Sequence, residues 1–100
     1  MGEKYNKIID KINEFCKKAK VNDVRKVYIG ITKDPERRLF NEHKITDEGY
    51  CWTCIEAEDV DTAREAELHF IRMGMEGGPG GGDNKTKFVY CFYKKQGNKG

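Results

Sequence analysis

The chain has 100 residues and a mass of 11.6 kDa, which is room for one domain and excludes a second. Hydrophobic residues make up 37% and charged residues 36%, and the mean hydropathy is -0.84, so we expect a small core built from a few apolar faces. The aromatic content of 11% excludes the intrinsically disordered class.

The chain has no apolar run of the roughly 20 residues that a membrane helix needs, and its N-terminus is charged where a signal peptide would be apolar. We therefore expect an intracellular protein without a membrane partner, cytoplasmic, or nuclear in a eukaryotic or viral setting. The four cysteines are unevenly spaced, which without a secretory signal favours reduced thiols over a disulfide framework.

Charge is distributed unevenly along the chain. Residues 1–44 carry 12 basic and 7 acidic side chains, residues 45–76 carry 2 and 9, and residues 77–100 carry 5 and 1. Two basic segments around an acidic one are typical of a protein that binds a polyanion with its ends and a cation in its middle. An ordinary surface of mixed charge fits the same numbers equally well.

The first half of the chain predicts a helix, a strand and a second helix. Residues 5–19 repeat apolar side chains at helical spacing, which indicates an amphipathic helix. Residues 27–31 are short, β-branched and aromatic, which is typical of a buried strand. Asp34 and Pro35 then provide an N-cap and a first helical residue, so we expect a helix over residues 36–44.

The second half predicts a strand over residues 50–56 and a helix that is capped by Asp61, runs to Met73 and stops at Gly74. Residues 77–82 hold five glycines and a proline, and this loop either cradles a phosphate with its backbone N–H groups or serves only as a permissive connection. Residues 87–93 give the strongest strand pattern of the chain. The predicted fold is α+β with a small three-stranded sheet.

The segment that begins at Tyr28 carries the most specific motif of the chain. It reads YIGITKDPERRL: a strand that contains Tyr-Ile-Gly, a capped turn, and an arginine ten residues after the tyrosine. This segment resembles the second half of the signature of the GIY-YIG nucleases. The family's spacing from tyrosine to arginine falls on Arg38, so the resemblance implies Tyr28 and Arg38 as catalytic residues.

Each part of this motif has a physical role beside a phosphate group. The Tyr28 hydroxyl can take a proton from water or relay it, and Gly30 lets a phosphate approach the backbone. Arg38 can present a planar fork of donors to a phosphate oxygen, and Lys33 is expected to contact the same substrate. Taken singly, Tyr28 fits a core aromatic and Arg38 a solvated helix charge; their joint spacing favours the catalytic interpretation.

The acidic helix supplies a candidate metal ligand. Its sequence AREAELHFI is similar to the family's later helix, in which a glutamate is followed at the third and fourth positions by two large apolar residues; that register selects Glu67. The resemblance implies that Glu67 binds Mg²⁺ or Mn²⁺, and Mg²⁺ needs only one or two protein carboxylates. The alternative is an exposed, salt-bridged glutamate. Glu65 points off that face and is interpreted as a surface charge.

The first half of the signature is missing from its usual place. The family has a Gly-Ile-Tyr strand about ten residues before Tyr-Ile-Gly, where this chain has the polar residues 17–23. We expect the C-terminal strand to take that place by pairing antiparallel with residues 26–32, as in a circularly permuted version of the family fold. Tyr90 then stands in for the first tyrosine of the signature, as a further catalytic residue.

The expected unit is one GIY-YIG-like domain over residues 1–95, followed by a disordered tail over residues 96–100. Its three-stranded antiparallel sheet is flanked by three helices, of which the one over residues 5–19 is an addition to the family fold. The resemblance also implies Asn84 as a contact to substrate or metal shell, and His43 as a catalytic residue. His43 is five residues after Arg38, where the family's step is four, so a surface histidine at a helix end fits equally well. Lys87, next to the aromatic strand, is expected to contact nucleic acid.

A C-x-x-C spacing in the second strand is interpreted as structural. Cys51 and Cys54 have a spacing found in zinc and redox sites, but residues three apart on a strand face opposite sides, so both thiols cannot reach one metal.

Together these features predict a Mg²⁺-dependent endonuclease that hydrolyses phosphodiester bonds in DNA. The alternative is a catalytically weak or inactive module that binds nucleic acid or a phosphorylated nucleotide, and a steep salt dependence without turnover would favour it. A third possibility, an antagonist that binds a host protein, has no positive sign in the sequence. A chain of this length leaves no separate DNA-recognition domain, so we expect a homodimer or a partner protein to supply any specificity.

Overall fold

A computed structural model of the chain describes residues 2–37, 51–77 and 86–93, apart from the side chain of Cys51. Within these ranges it has two α-helices and three strands: α1 (Tyr5–Lys18), β1 (Val27–Thr32), β2 (Cys51–Glu56), α2 (Val60–Arg72) and β3 (Phe88–Tyr93). The α+β class and the three-stranded antiparallel sheet are confirmed. The third helix, expected over residues 36–44, lies beyond the described residues except for its start, and so do most of the glycine-rich loop and the tail over residues 96–100.

The sheet has the order β1-β3-β2, and both of its pairings are antiparallel. The last strand in the chain is therefore the central one, and it is the common partner of β1 and β2. Gly30 lies opposite Tyr90 in the first pairing, and Cys54 lies opposite Tyr90 in the second. The pairing that we expected between the C-terminal strand and residues 26–32 is present over Val27–Thr32.

Helix α1 forms because its apolar residues share one side. Ile8 and Ile12 are fully buried, while the basic side chains Lys17 and Lys18 lie in the last turn, where they oppose the negative end of the helix dipole. The helix ends in a Schellman motif: the Val21 N–H donates to the Cys16 carbonyl at 3.0 Å. The motif needs a left-handed residue, and Lys20 takes that conformation with a φ of 57°.

Helix α2 begins two residues earlier than the sequence indicated. The cap is Asp59 and not Asp61: the Asp59 side chain accepts a 2.7 Å hydrogen bond from the Thr62 N–H, and Asp61 lies in the first turn. The prediction of the cap was wrong because both aspartates are residues that favour an N-cap. Which of them caps α2 depends on the path of the chain between β2 and the helix, which the sequence pattern does not give. The end was correct, since Gly74 has a φ of 117° and closes a second Schellman motif.

The two faces of the sheet have different partners. Residues on alternate positions of the strands, such as Ile29 and Val89, pack with buried residues of α1 and α2 in the main core. On the opposite face, Tyr90 and Phe92 form a second cluster with Tyr28 and Cys54, which we call the tyrosine face. Neither α1 nor α2 contributes a residue to this second cluster.

The chain also covers parts of the sheet's edges. Residues 75–77 follow α2 and run parallel to β1, where Glu76 is bridged to Tyr28. At the other edge Glu3 is bridged to Ala57, just beyond the end of β2. Neither of the helices in the described ranges is long and apolar enough to cross a membrane.

Candidate active site

Two predicted catalytic residues, Tyr28 and Tyr90, lie side by side on the tyrosine face. Tyr28 is directly opposite Phe92, and their ring centroids are 5.2 Å apart with the planes at 17°. The Tyr28 and Tyr90 centroids are 6.2 Å apart with the planes at 23°. This diagonal contact follows from the antiparallel register, because residues 28 and 90 point to the same face of adjacent strands. The pairing of β1 with β3 therefore brings together two tyrosines that are 62 residues apart in the sequence.

The two tyrosines differ in their access to solvent. Tyr28 is half-buried, whereas the exposed fraction of Tyr90 is 1%. A hydroxyl that exchanges protons with a water molecule must be reachable by that water, so Tyr28 is the better placed of the two for this role.

Gly30 lies inside β1 and supports the Tyr90 ring. A β-carbon at position 30 would lie 2.5 Å from the Tyr90 hydroxyl oxygen and 2.6 Å from the ring carbon that bears it. No side chain fits there, so the glycine gives the phenol ring a place against the backbone of the neighbouring strand. The approach of a phosphate to Gly30 stays a prediction. On the tyrosine face, the Tyr90 ring fills the space next to Gly30.

The two predicted substrate lysines lie at one end of the β1–β3 pair. Thr32 and Phe88 are the last paired residues there, and Lys33 and Lys87 directly adjoin them in the sequence. Lys33 is exposed and Lys87 is half-buried. The pKa of Asp59 is lowered chiefly by hydrogen bonds from Thr62, and the charge of Lys87 adds to this effect. Lys87 therefore lies near the start of α2.

The turn after β1 has the cap that the sequence predicted. The Asp34 side chain accepts a 3.1 Å hydrogen bond from the Arg37 N–H, and the Asp34 N–H donates to the Thr32 hydroxyl at 3.0 Å. Arg38 follows directly, but it lies outside the described residues, as do His43 and Asn84. Their roles stay predictions.

Glu67, the predicted metal ligand, is a buried carboxylate. It belongs to the core-facing stripe of α2 with Ala63, Ala66 and Phe70, and its exposed fraction is 1%. Its Oε1 atom has no hydrogen-bond partner within the described part of the chain, whereas buried carboxylates normally have several. Burial raises the pKa of Glu67 to about 7, against the opposing influence of Arg64. The alternative of an exposed, salt-bridged glutamate does not hold, because Glu67 is buried. Glu65 is exposed as predicted.

Arg64 is a residue that the sequence did not single out. It lies one turn before Glu67, and its Nε atom is buried with no hydrogen-bond partner in residues 2–37, 51–77 and 86–93. A donor and an acceptor without partners therefore share one side of α2. The sequence did contain a signal for this pair. Arg64 and Glu67 are three residues apart, which places them on the same side of a helix, next to the apolar face of Ala63, Ala66 and Phe70.

The stripe of α2 that contains Glu67 packs on the face of the sheet opposite to the tyrosines. Ala63, Ala66 and Phe70 contact the main core on the side of Ile29 and Val89. The structure thus brings Tyr28 and Tyr90 together, and the helix that bears Glu67 covers the other side of their strands.

One feature of Glu67 favours a divalent cation: its buried Oε1 atom has no hydrogen-bond donor among the described residues. A buried carboxylate without a donor is stabilised by a cation, and one carboxylate is enough for a Mg²⁺ ion that keeps most of its waters. Among the residues that the structure describes, no three His, Cys, Asp or Glu side chains cluster in a way that could hold a metal ion. The described residues are therefore compatible with a hard cation bound by the single carboxylate of Glu67, and not with a site built from several protein ligands.

The second strand gives no sign of zinc chemistry. Cys51 and Cys54 are both on β2, and the C-x-x-C prediction about Cys51 lies outside the described side chains. Burial, and to a smaller extent Glu56, raise the pKa of Cys54 to about 11, which disfavours the thiolate that a metal would need.

Comparison with known proteins found no relative of this chain. No family model, no curated protein and no solved structure matches it.

Proposed function

We propose that the chain is a metal-dependent endonuclease that hydrolyses phosphodiester bonds in DNA. The observation that carries this proposal is the pairing of β3 with β1, which puts Tyr90 beside Tyr28 as the resemblance to a permuted GIY-YIG nuclease requires. The buried Oε1 atom of Glu67, which has no hydrogen-bond partner among the described residues, is further support, since Glu67 is the residue that the same resemblance selects as the metal ligand.

Each residue has a separate role in the proposed reaction. The Tyr28 hydroxyl accepts the proton of the attacking water as it passes its own proton on to solvent, and Tyr90 holds the Tyr28 ring in place from the adjacent strand. Arg38 donates hydrogen bonds to the phosphoryl oxygens, on which negative charge grows as water attacks phosphorus and the bond to the leaving oxygen breaks. Glu67 would hold Mg²⁺ or Mn²⁺, which would supply positive charge for the reaction. Because α2 covers the face of the sheet opposite to the tyrosines, the proposal requires that the ion and the Tyr28 hydroxyl reach one phosphate around the edge of the sheet. Lys33 and Lys87 contact the DNA backbone at the end of the sheet.

The test is cleavage of a labelled DNA duplex and a branched DNA by the whole chain with Mg²⁺, Mn²⁺ or a chelator. We expect Glu67→Gln and Arg38→Ala each to lower the rate by about 10²- to 10³-fold, the cost of one positioned electrostatic group. The matched controls are Glu65→Gln and Arg37→Ala, which change exposed residues of the same type close by and should leave the rate unchanged. If no DNA is cut with either metal, the proposal fails.

A second candidate is a module that binds nucleic acid or a phosphorylated nucleotide without cleaving it. The burial of Tyr90 and Glu67, each 1% exposed, favours this candidate, as does the position of α2 on the face opposite to the tyrosines. It predicts DNA binding that weakens steeply with salt, because released counterions drive the association. Binding without turnover, lost when Lys33 and Lys87 are both changed to Glu, would establish it over the nuclease.

A further inference from the structure

Helix α2 holds an arginine and a glutamate that face the same side and do not contact each other. The Nε atom of Arg64 and the Oε1 atom of Glu67 are buried, and neither has a hydrogen-bond partner among the described residues. Within the same ranges no ion pair includes either side chain. The charge of Arg64 nevertheless acts to lower the pKa of Glu67, so the two groups are close. A buried donor and a buried acceptor of this kind indicate a group that binds between them.

The side of α2 that bears these two residues faces the outer edge of β1. Arg64, Glu67 and Ile71 form one stripe, because residues three, four and seven apart lie on the same side of a helix. A β-carbon at Gly77, which follows α2 beside β1, would lie 3.0 Å from Ile71 Cδ1 and 2.7 Å from the Ile29 carbonyl oxygen. Ile71 is therefore level with Ile29, at the edge of the sheet and not over its centre.

Helix α2 runs antiparallel to β1. Its C-terminal end lies just before β1, where a β-carbon at Gly74 would be 3.1 Å from a methyl carbon of Val24. Its N-terminal end lies near Lys87, whose charge helps to lower the pKa of Asp59. Lys87 directly precedes β3, and the first residue of β3 pairs with the last residue of β1. The start of α2 is thus at the end of β1.

The rise of the two elements gives the position of Arg64 along this edge. A helix rises about 1.5 Å per residue, so Arg64 lies about 10 Å beyond Ile71 toward the end of β1. A strand rises about 3.3 Å per residue, so Thr32 lies about 10 Å beyond Ile29 in the same direction. Arg64 is therefore level with Thr32, and the exposed Lys33 follows directly in the chain.

A phosphate group that carries a divalent cation has the chemistry to bind between Arg64 and Glu67. A phosphate oxygen accepts hydrogen bonds from a guanidinium group, which presents a planar fork of donors. The accompanying cation is attracted to the carboxylate, and a hard cation needs only one or two of these. A single bridging water would satisfy the same two atoms, but it would leave the binding of DNA independent of Arg64.

We propose that Arg64 binds a phosphate of the DNA substrate, next to a divalent cation held by Glu67. This inference rests on the proposed function, since it takes Glu67 as the metal ligand and DNA as the substrate, and it adds a second guanidinium group to that of Arg38. Arg64 is half-buried, so part of its side chain is reached from solvent. The site lies next to Lys33 along the outer edge of β1, the strand that bears Tyr28.

The test measures the affinity of the whole chain for a labelled DNA duplex by fluorescence anisotropy, with Ca²⁺ in place of Mg²⁺ to slow cleavage, and again with a chelator. We expect Arg64→Met to weaken binding by about tenfold in Ca²⁺, the cost of one hydrogen bond to a charged group. With the chelator the loss should fall below about threefold, because the bare carboxylate of Glu67 then repels the phosphate. The matched control is Arg72→Met, which removes an exposed charge from the last turn of α2 and should act equally in both conditions.

Unfolding in urea separates a binding role of Arg64 from a structural one. Arg64→Met keeps most of the side chain and removes a buried donor without a partner among the described residues, so the free energy of unfolding should stay the same or rise. Arg64→Lys keeps the charge but loses the planar fork, and it should recover only part of the affinity. The inference is overturned if Arg64→Met binds DNA as the natural chain does, if its loss of affinity is equal with Ca²⁺ and with chelator, or if it unfolds at lower urea in proportion to that loss.

The same measurements distinguish a failure of this inference from a failure of the proposed function. If the natural chain cuts DNA and Arg64→Met binds and cuts it equally well, only the role of Arg64 is wrong. If the natural chain binds DNA without cutting it, and the contribution of Arg64 depends on the cation, the phosphate site stands and the nuclease does not. A chain that binds no DNA in either condition overturns both.

Discussion

Ionisation of Glu67 should make the protein less stable as the pH rises. The pKa of this carboxyl is raised from 4.5 to about 7, because the carboxylate is buried. Its contribution to stability is therefore fully present below about pH 4.5 and is lost progressively up to and just beyond pH 7. At about 1.4 kcal/mol for each tenfold change in proton affinity, the full loss is about 3 kcal/mol. Glu67→Gln removes the titration and keeps the volume of the side chain.

The assay is urea unfolding from pH 4 to pH 8, followed by the fluorescence of Trp52, the single tryptophan of the chain. We expect the free energy of unfolding of Glu67→Gln, relative to the natural sequence, to rise by up to about 3 kcal/mol over this range. Glu65→Gln, an exposed change on the same helix, should show no such rise. If the Glu67→Gln and natural curves stay parallel, the carboxyl has an ordinary pKa and is not buried as described. Mg²⁺ that binds at Glu67 should reduce the difference at pH 8.

Three further predictions concern substitutions to or from glycine. At the ends of α1 and α2, Lys20→Gly should raise the free energy of unfolding by about 1 kcal/mol and Gly74→Ala should lower it by about 1 kcal/mol, because both sites need a positive φ. Urea denaturation measures both, and a loss of stability in Lys20→Gly would contradict the reasoning. In the sheet, Gly30→Ala should cost about 1–3 kcal/mol, because its methyl group would overlap the Tyr90 phenol. The cost should shrink in a Tyr90→Val background, and a double-mutant cycle with no coupling would show that the two residues do not touch.

The regular elements could be predicted from the sequence because each has a repeating pattern. The helical spacing of Ile8 and Ile12 and the aromatic run of β3 predict their elements to within a residue or so. The pairing of β3 with residues 26–32 came from the family resemblance and not from periodicity. Nothing in the strand itself says which neighbours it will have.

Other features had no repeating pattern to reveal them. The left-handed Lys20 occupies a position where glycine is usual, so no residue type marked it. The bridges of Glu3 and Glu76 to the sheet edges involve single residues, too short for any period. The burial of Glu67 could have been predicted, since Glu67 shares the helical stripe of Ala63 and Phe70. A charged side chain is usually exposed, however, and this favoured a surface position.

The position of β3 also determines when the sheet can form during synthesis. β1 and β2 each pair with β3 and not with each other, so both strands of a nascent chain lack their shared central partner until residue 93 has left the ribosome. Helix α1 can form early, because its hydrogen bonds are local, but the sheet depends on contacts across most of the chain. The protein is therefore expected to fold after translation of this segment, and a chain that stalls before residue 88 exposes aggregation-prone strand edges for chaperones to bind.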